Sequence, residues 1–432
     1  MRCFWIFLAV ALAAAFSTWA QPDAPHPNVL LLSVDTLRAD RLGCYGHPLP
    51  TSPNLDRLAS EGIRFENMIC EIPLTNPSFG AMLSSRYPRA TGTTRNGLPM
   101  PGALPLATER FQAAGYATFS VQSNWTLKKK LSGLDRGFDT YDDGFHEKRW
   151  GFLKPERGGK QVTDRALALL AEQRPDRPFF AWVHYSDPHA PYELHKDFNV
   201  HQKKTWRLNK EEKVRARYDS EVAFTDAQIG RLLQALPENT YVVFVGDHGE
   251  SLYEHDYLGH GRRVHQTNLH VPLILHGPGI EAARSSLPVR GVDVGPTLLA
   301  LAGLEPLPDA SGLPVLSGAI APDRVRVVET YGGAVPNLPG AKALMAGAGA
   351  MRQAVLSNGW KLIADGRKEQ LFHLPQDPGE LTDLHVQEAA QTERLRGLLT
   401  AWDQAVVPVK GGDGAALTQD DVDALRSLGY VE

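Results

Sequence analysis

A threonine, two aspartates and several histidines of this 432-residue chain stand where a metal-assisted reaction at phosphorus or sulfur would need them. Asp35 directly follows one apolar run, and Asp247 and His248 follow another. Carboxylate oxygens and imidazole nitrogens are common ligands of divalent cations. These three side chains therefore predict a three-ligand metal site with one position open for the hydroxyl of Thr75.

Thr75 precedes a pattern that is typical of a helix start. Pro77 suits the first helical position and Asn76 is a good N-cap, so Thr75 is predicted to lie just before a helix N-terminus. The N–H groups and the dipole at such an end favour an anion, and a hydroxyl there can attack phosphorus or sulfur if its pKa is lowered. The alternative is that Thr75 only caps the helix.

Two further histidines and three other side chains are candidates for contact with a substrate. His189 follows the apolar run 179–185, and His260 lies between two glycines. Both are catalytic candidates, and one or the other is predicted to donate a proton to the leaving group. Asn96, Arg95 and Lys128 are candidates to hold the non-bridging oxygens, against the alternative that they are ordinary surface or turn residues. The remaining interior histidines are interpreted as structural: His184, His195, His201, His265, His270 and His276.

The elements that must position these residues alternate between strand and helix. Apolar runs at 28–34, 116–122, 179–185, 241–246 and 271–276 predict buried strands, and helices are predicted at 54–61, 162–173, 211–236 and 292–302. This alternation indicates an α/β/α sandwich with a mostly parallel central sheet, whose carboxyl edge would carry the site. Short strands at 325–330, 352–357, 360–363 and 370–373, with helices at 386–406 and 418–428, predict a small C-terminal antiparallel sheet. The glycine- and alanine-rich segment 332–349 is interpreted as a flexible loop.

Composition and the N-terminus define the class of protein. A net charge of -4 argues against a nucleic-acid-binding protein. Residues 1–20 are predicted to be a secretory signal peptide, and the alternative is an uncleaved anchor. The protein is therefore expected to be exported to the periplasm or secreted. No integral membrane segment is expected after cleavage. A catalytic unit is expected at 21–310 and a C-terminal subdomain at 311–432. The sequence leaves a disulfide between Cys44 and Cys70 open.

Together, these motifs resemble the sulfatase family of the alkaline-phosphatase superfamily, over nearly all of the chain after residue 20. The matching segments, in order, are 28–46, 51–56, 75–88, 246–252, 271–273, 293–298, 377–380 and 425–430. The resemblance implies the sulfatase fold, ester hydrolysis and a bound divalent metal.

The chain departs from the family pattern where the nucleophile stands. Sulfatases carry Cys-x-Pro-Ser-Arg, in which Cys or sometimes Ser becomes formylglycine and Arg steadies it, whereas this chain has Thr75 and Phe79 at those two positions. Threonine is not a known substrate of that maturation, so no formylglycine is expected. Asn124 and Thr126 stand where the family often has Lys and His, and His260 replaces a Lys.

These departures resemble superfamily relatives that use an unmodified threonine: nucleotide pyrophosphatases, phosphoethanolamine transferases and lipoteichoic acid synthases. Phosphonate monoester hydrolases are similar in having a single aspartate at the Asp35 position. By this resemblance, His189 and His260 would bind the phosphoryl group or a second metal ion.

The sequence thus favours a metal-dependent hydrolase or transferase of a phosphoester or phosphodiester, with Thr75 as nucleophile and Mn, Zn or Ca as the metal. One alternative is a sulfatase that acts without standard formylglycine. A second is a non-catalytic binding protein with the sulfatase shell. The organic part of the anionic ester substrate, which could be a glycan or a lipid head group, carries no motif in this sequence.

Overall fold

The computed structural model describes residues 26–145, 147–149, 152–154, 156–201, 207–333, 352–412 and 414–428. The predicted signal peptide and most of the predicted flexible loop lie outside the described residues.

Sixteen strands lie in the described ranges. They are β1 (Asn28–Val34), β2 (Ile63–Phe65), β3 (Ala117–Val121), β4 (Thr140–Asp142), β5 (Glu147–Arg149), β6 (Phe152–Lys154), β7 (Phe179–Tyr185), β8 (Thr240–Gly246), β9 (Ser251–Leu252), β10 (Leu258–Gly259), β11 (Leu273–His276), β12 (Ala283–Ser285), β13 (Arg326–Thr330), β14 (Arg352–Ser357), β15 (Trp360–Ala364) and β16 (Glu369–His373).

The helices of the described ranges alternate with the strands in the first three quarters of the chain. They are α1 (Pro53–Glu61), α2 (Thr75–Ser84), α3 (Pro88–Thr91), α4 (Ala107–Ala113), α5 (Lys129–Ser132), α6 (Gly159–Ala171), α7 (Lys210–Leu233), α8 (Gln266–Leu269), α9 (Val294–Leu301), α10 (Ala389–Ala405) and α11 (Gln419–Ser427).

The central sheet has eight strands in the order β12-β2-β11-β8-β1-β7-β3-β4. Strands β8, β1, β7, β3 and β4 are parallel neighbours, so the prediction of a mostly parallel sheet is confirmed. Strand β11, for which the sequence predicted no direction, runs antiparallel to β8. A parallel return needs a crossover of a dozen or more residues, usually a helix. The chain between β8 and β11 contains only short elements, including the four-residue α8, and it returns from the same edge.

Hydrophobic side chains cover both faces of this sheet, as a sandwich requires. Along β1, Val29 and Leu31 join one core with Phe79 of α2, while Leu30 and Leu32 join the other core with helices on the opposite face. All four β1 side chains are buried. The continuous apolar run thus follows from burial on both faces.

The C-terminal sheet has the order β13-β14-β15-β16, and every pairing in it is antiparallel, as predicted. Helix α10 packs on one face through Leu395 and Leu399. The opposite face packs on the first unit through Ile69, Val264 and neighbouring side chains. The small sheet is therefore held between its own helix and the larger unit.

Two smaller expectations can also be compared with the structure. Cys44 and Cys70 are both unpaired, so the described chain has no disulfide between them. Across the described ranges, none of the helices combines the length and the apolar character that a membrane crossing requires.

Candidate active site

The two aspartates are brought together by the register of parallel strands. Val34 at the end of β1 pairs with Gly246 at the end of β8, so the next residues, Asp35 and Asp247, leave the sheet side by side. The main-chain N–H groups of Thr36 and His248 donate to Asp247 Oδ1 at 3.0 Å and 2.7 Å. These bonds fix one oxygen of Asp247 and orient the other.

Thr36 has a strained backbone at this point. Its φ of 53° lies in the left-handed region, which a β-branched residue rarely adopts. Its carbonyl accepts a hydrogen bond from the hydroxyl of Tyr218 at 2.7 Å, and its own hydroxyl donates to Asp35 O at 2.8 Å. Strain of this kind persists only where surrounding contacts impose it, and it is common at functional sites.

Asp35, Asp247 and His248 form the predicted ligand group. One ligand atom from each lies within 4.8 Å of the other two, and all three residues are 0% exposed. His248 Nε2 is 3.7 Å from Asp35 Oδ1 and 3.5 Å from Asp247 Oδ2. Neither carboxylate oxygen has a hydrogen-bond partner among the described residues. Two buried, unbonded carboxylate oxygens beside an imidazole nitrogen fit a divalent cation.

The electrostatics of the group also suit a cation. Burial and the Asp35 carboxylate raise the pKa of Asp247, because two negative charges are close together in the interior. Burial opposes ionisation of Asp35 as well, but neighbouring histidines outweigh it and lower the pKa of this carboxyl. Burial and nearby His260 lower the pKa of His248 to about 3. His248 is therefore neutral, which is the form that ligates metals.

Thr75 is placed against this group by the start of α2. Its Oγ1 lies 3.4 Å from His248 Nε2, and the residue is fully buried. Ser78, one turn further along, donates its hydroxyl to Asp247 O at 2.7 Å and ties the helix to the β8 end. A hydroxyl, a helix N-terminus and the ligand group thus meet at one point, as a nucleophile at a metal site would require.

The predicted start of α2 was wrong by two residues. The helix begins at Thr75, and the N-cap residue is Leu74 rather than Asn76. Asn76 lies inside the helix, where its side-chain amide donates to Leu98 O at 2.9 Å and its main-chain N–H donates to Asn96 Oδ1 at 3.0 Å. A side chain distant in sequence therefore satisfies the helix end.

His189 and His260 lie beside the ligand group. The His260 ring is 4.5 Å from the His248 ring and 5.1 Å from the His189 ring, measured between centroids. Each has a carboxylate neighbour: His189 Nδ1 is 3.0 Å from Glu156 Oε1, and His260 Nδ1 is 3.2 Å from Glu250 Oε1. Neither glutamate was predicted from the sequence as part of the site.

Two further residues that the sequence analysis did not place in the site contact Asp35. Asn124 donates its amide to Asp35 Oδ2 at 2.5 Å, and His184 Nε2 lies 3.6 Å from the same oxygen. His184 was interpreted as structural, and its other ring nitrogen is indeed bonded to Ser33 at 3.0 Å. The position of His184 on β7, the strand next to β1, could have indicated from the sequence that it lies near Asp35.

The three candidate oxygen-holding residues have different surroundings. Asn96 is buried and caps α2, one residue beyond Thr75. The Arg95 guanidinium lies 5.5 Å from the centre of the Tyr331 ring. Lys128 donates to the carbonyls of Asp143 and Phe145, at 3.1 Å and 2.9 Å. These bonds account for Lys128 structurally, and contact of any of the three with substrate stays a prediction.

Comparison with known proteins agrees with this geometry. A sequence model of the sulfatase family matches residues 27–304. The ulvan-active sulfatase of Formosa agariphila is 30% identical over 372 residues, covering 74% of this chain and 72% of that protein. Human iduronate 2-sulfatase is 27% identical, with coverages of 78% and 73%.

A similar solved structure is that of the phosphonate monoester hydrolase of Agrobacterium radiobacter. Its TM-score is 0.74 at 20% identity, and the match covers 88% of this chain and 96% of that one. At this identity the likeness shows the fold. Together with the family match over most of the catalytic unit, it identifies this chain as a member of the sulfatase family, in the alkaline-phosphatase superfamily, and as an ester hydrolase.

Proposed function

We propose that this member cleaves or transfers a phosphoester or phosphodiester with Thr75 as its nucleophile. The observation that carries the proposal is the 3.4 Å separation of Thr75 Oγ1 from His248 Nε2, inside a ligand group that suits a divalent cation. The residue types support it as well. An unmodified hydroxyl can form a phosphate ester that a second attack resolves, whereas formylglycine chemistry needs Cys or Ser at this position.

Asp35, Asp247 and His248 are the residues that would hold a divalent cation, Mn, Zn or Ca, and the helix start brings Thr75 to the same point. When bound, the cation would lower the pKa of the Thr75 hydroxyl and offset the charge of the anionic ester. Binding of a second metal by His189 and His260 is the alternative to their role as proton donors.

The chain's own residues then supply the remaining steps. The ionised Thr75 Oγ, whose proton has been lost to solvent, attacks phosphorus in line with the leaving oxygen, and the P–O bond to the leaving group breaks as a phosphothreonine forms. His189 or His260 donates a proton to the leaving oxygen. Water or a second alcohol attacks the phosphothreonine, returns a proton to the same imidazole and releases Thr75.

Sulfate-ester hydrolysis is the second candidate, and the names of the relatives favour it. Relatives act on ulvan and on iduronate 2-sulfate by their names. The hydrolase that shares the fold at a TM-score of 0.74 acts, by its name, on phosphonate monoesters. A sulfated or phosphorylated glycan is therefore a reasonable class of substrate to test alongside simple aryl esters.

Export of the protein through residues 1–20 remains part of the proposal, and cell fractionation tests it.

The deciding experiment compares three substrates with purified mature protein loaded in turn with Ca, Mn and Zn. These are 4-nitrophenyl phosphate, bis-4-nitrophenyl phosphate and 4-nitrophenyl sulfate. Thr75→Ala should abolish metal-dependent phosphoester turnover, and Thr75→Ser should retain part of it. Thr225→Ala is a matched control, because Thr225 is a buried helical threonine that donates to Glu221 O at 2.8 Å.

The outcomes separate the candidates. Phosphoester turnover that Thr75→Ala leaves unchanged would overturn the nucleophile assignment. Sulfate turnover without phosphoester turnover would favour the second candidate, and mass spectrometry of the peptide containing Thr75 would then show whether the side chain is modified. Metal binding without turnover of glycan or aryl esters would indicate a binding protein.

A further inference from the structure

The hydroxyl of Tyr218 bonds both ends of the turn that follows Asp35, residues 36–38. It donates to the carbonyl of Thr36 at 2.7 Å and accepts the N–H of Arg38 at 3.1 Å. Tyr218 lies on α7 and is 0% exposed. Buried main-chain groups need hydrogen-bond partners, and one phenol supplies the partner of two such groups in this turn.

The same turn is also bonded to the ligand group. The N–H of Thr36 donates to Asp247 Oδ1 at 3.0 Å, and its hydroxyl donates to Asp35 O at 2.8 Å. The turn lies close against β8, since a Cβ added at Gly246 would be 2.9 Å from Leu37 O. Thr36 is thus the residue through which α7 reaches both aspartates.

Thr36 adopts a conformation that its own side chain disfavours. Its φ of 53° lies in the left-handed region, where the branched Cβ of threonine costs free energy and glycine does not. A turn free to relax would move Thr36 toward negative φ and direct its N–H away from Asp247. The bonds from Tyr218 oppose that relaxation, because they hold the residues on both sides of Leu37.

We propose that Tyr218 is a positioning residue of the cation site. Its hydroxyl holds Thr36 in the left-handed conformation, and Thr36 in turn orients Asp35 and Asp247 toward the cation. The inference rests on the divalent cation of the proposed function and is independent of the role of Thr75. Residues that orient metal ligands commonly contribute about 10–100-fold to metal affinity.

The aromatic ring of Tyr218 makes contacts that do not need the hydroxyl. It packs edge-on against the Tyr192 ring, with 5.7 Å between the centroids and 81° between the planes. Two residues further along α7, Ser220 accepts the N–H of His195 at 2.9 Å, which holds the segment after His189. Tyr218→Phe therefore keeps the packing and removes the bonds to the turn.

The test measures the affinity of the apoprotein for Mn and Zn by isothermal titration calorimetry. Tyr218→Phe should lower this affinity by about 10-fold. Thr36→Gly alone should change it by less than about 3-fold, because glycine adopts positive φ without steric cost. For the same reason, Thr36→Gly added to Tyr218→Phe should restore the affinity to that of Thr36→Gly. An unchanged affinity in Tyr218→Phe, or a loss that glycine does not restore, would overturn the proposal.

Tyr45→Phe is the matched control. The Tyr45 hydroxyl also donates to a main-chain carbonyl, that of Phe65 at 3.1 Å, and accepts a main-chain N–H, that of Leu273 at 3.0 Å. These partners lie on β2 and β11, away from the turn after Asp35. Its removal should lower the free energy of unfolding but leave the cation affinity unchanged. An equal loss of affinity in both variants would indicate a general effect of lost stability and contradict the positioning role.

A second readout covers the case in which Tyr218→Phe does not fold. Thr36→Gly in the same chain should then restore folding, measured by circular dichroism, because the left-handed conformation no longer has to be imposed. A double variant that also fails to fold would count against the inference.

The outcomes distinguish this inference from the proposed function. If Thr75→Ala abolishes phosphoester turnover while Tyr218→Phe binds the cation as the wild type does, the inference fails and the proposed function stands. If the cation affinities change as expected while Thr75→Ala leaves turnover intact, the nucleophile assignment fails and the role of Tyr218 stands. A wild type that binds no divalent cation would overturn both.

Discussion

The two oxygens of Asp35 have different surroundings, and this difference determines which of them faces the ligand group. Oδ2 is taken by the Asn124 amide at 2.5 Å and faces His184 at 3.6 Å. Oδ1 has no hydrogen-bond partner among the described residues and lies 3.7 Å from His248 Nε2. Asn124 therefore directs the carboxylate so that a single oxygen is presented to the ligand group.

Loss of that direction should weaken metal binding. Asn124→Ala removes the bond to Asp35 Oδ2 and is expected to reduce the affinity for Mn or Zn by about 10–100-fold. Isothermal titration calorimetry of the apoprotein measures the change directly. Asn239→Ala, in the pair that Asn28 makes at 2.9 Å, is the control and should leave affinity unchanged. An unaltered affinity in Asn124→Ala would show that the amide does not orient the ligand.

At this scale the sequence predicted a group of candidate ligands that the fold brings together, but not the residues that surround it. Asp35, Asp247 and His248 could be predicted because each directly follows a strand. Asn124 and Glu156 could not, because their contacts depend on which strands and loops become neighbours. The packing of Phe79 could not be predicted either. The sequence showed only that Phe79 stands where sulfatases have an arginine. In the structure its ring lies 5.0 Å from the His184 ring and 4.8 Å from the Trp182 ring. It therefore packs behind Asp35.

At the scale of elements, the segment before α2 is fixed by a buried carboxyl. Glu71 Oε1 accepts the N–H of Val292 at 3.1 Å, and its carbonyl accepts the N–H of Glu329 at 2.9 Å. This residue thus joins the approach to α2, the turn before α9 and β13. The pattern of apolar residues did not indicate such a junction, since the sequence shows a glutamate with no visible partner.

Glu71 should make stability depend on pH. Burial raises its pKa from about 4.5 to about 7. The folded state therefore binds more protons than the unfolded state between these values, and stability falls as pH rises through this window. Glu71→Gln should match the wild type near pH 4.5 and exceed it by on the order of 2–3 kcal/mol at pH 8.

Urea unfolding at several pH values between 4.5 and 8 measures the difference. The exposed Glu305→Gln should show no such trend. A gap between Glu71→Gln and wild type that stays constant with pH would contradict the titration of Glu71 and leave only a hydrogen-bond effect.

The type of an element, strand or helix, was predictable where its hydrophobic pattern had a clear period. The residues at which elements begin and end, and the directions of the strands, were harder to predict. β7 and β14 were predicted at their observed limits because both ends are marked by polar or proline residues. The predicted start of α2 was wrong, and no direction was predicted for β11. Both depend on tertiary structure: the start of α2 on its hydrogen bond to Asn96, and the direction of β11 on the chain re-entering the sheet at the edge where β8 ends.

At the scale of the molecule, the C-terminal sheet contributes to the active site as well as to stability. Thr330, at the end of β13, donates its hydroxyl to Gly261 O at 2.5 Å, and Gly261 follows His260. Tyr331 lies under Arg95. Val315 and Ile320 pack in the main core although they lie beyond the expected boundary at 310. The two units predicted from sequence therefore share contacts that position a catalytic candidate.

Arg89 is the side chain on which this coupling can be tested. It pairs through two nitrogens with Glu329 of β13, donates to Asp403 of α10 at 2.7 Å, and lies 4.4 Å from the centre of the Trp402 ring. Glu329 is buried. Breaking a buried pair by removing one partner leaves an uncompensated charge, which costs about 3–5 kcal/mol.

Arg89→Met should therefore lower the free energy of unfolding of the whole chain by about 3–5 kcal/mol, in one transition that both units share. Urea unfolding followed by tryptophan fluorescence reports on both, because Trp402 lies at the junction and Trp182 in the central sheet. Glu329→Gln added to Arg89→Met should restore part of the loss, because no charge is then left buried.

Arg86→Met is the control, since its partner Asp309 is exposed and such a pair contributes less than about 1 kcal/mol. Separate transitions, or equal effects of the two arginine variants, would show that the units unfold independently of this ion pair.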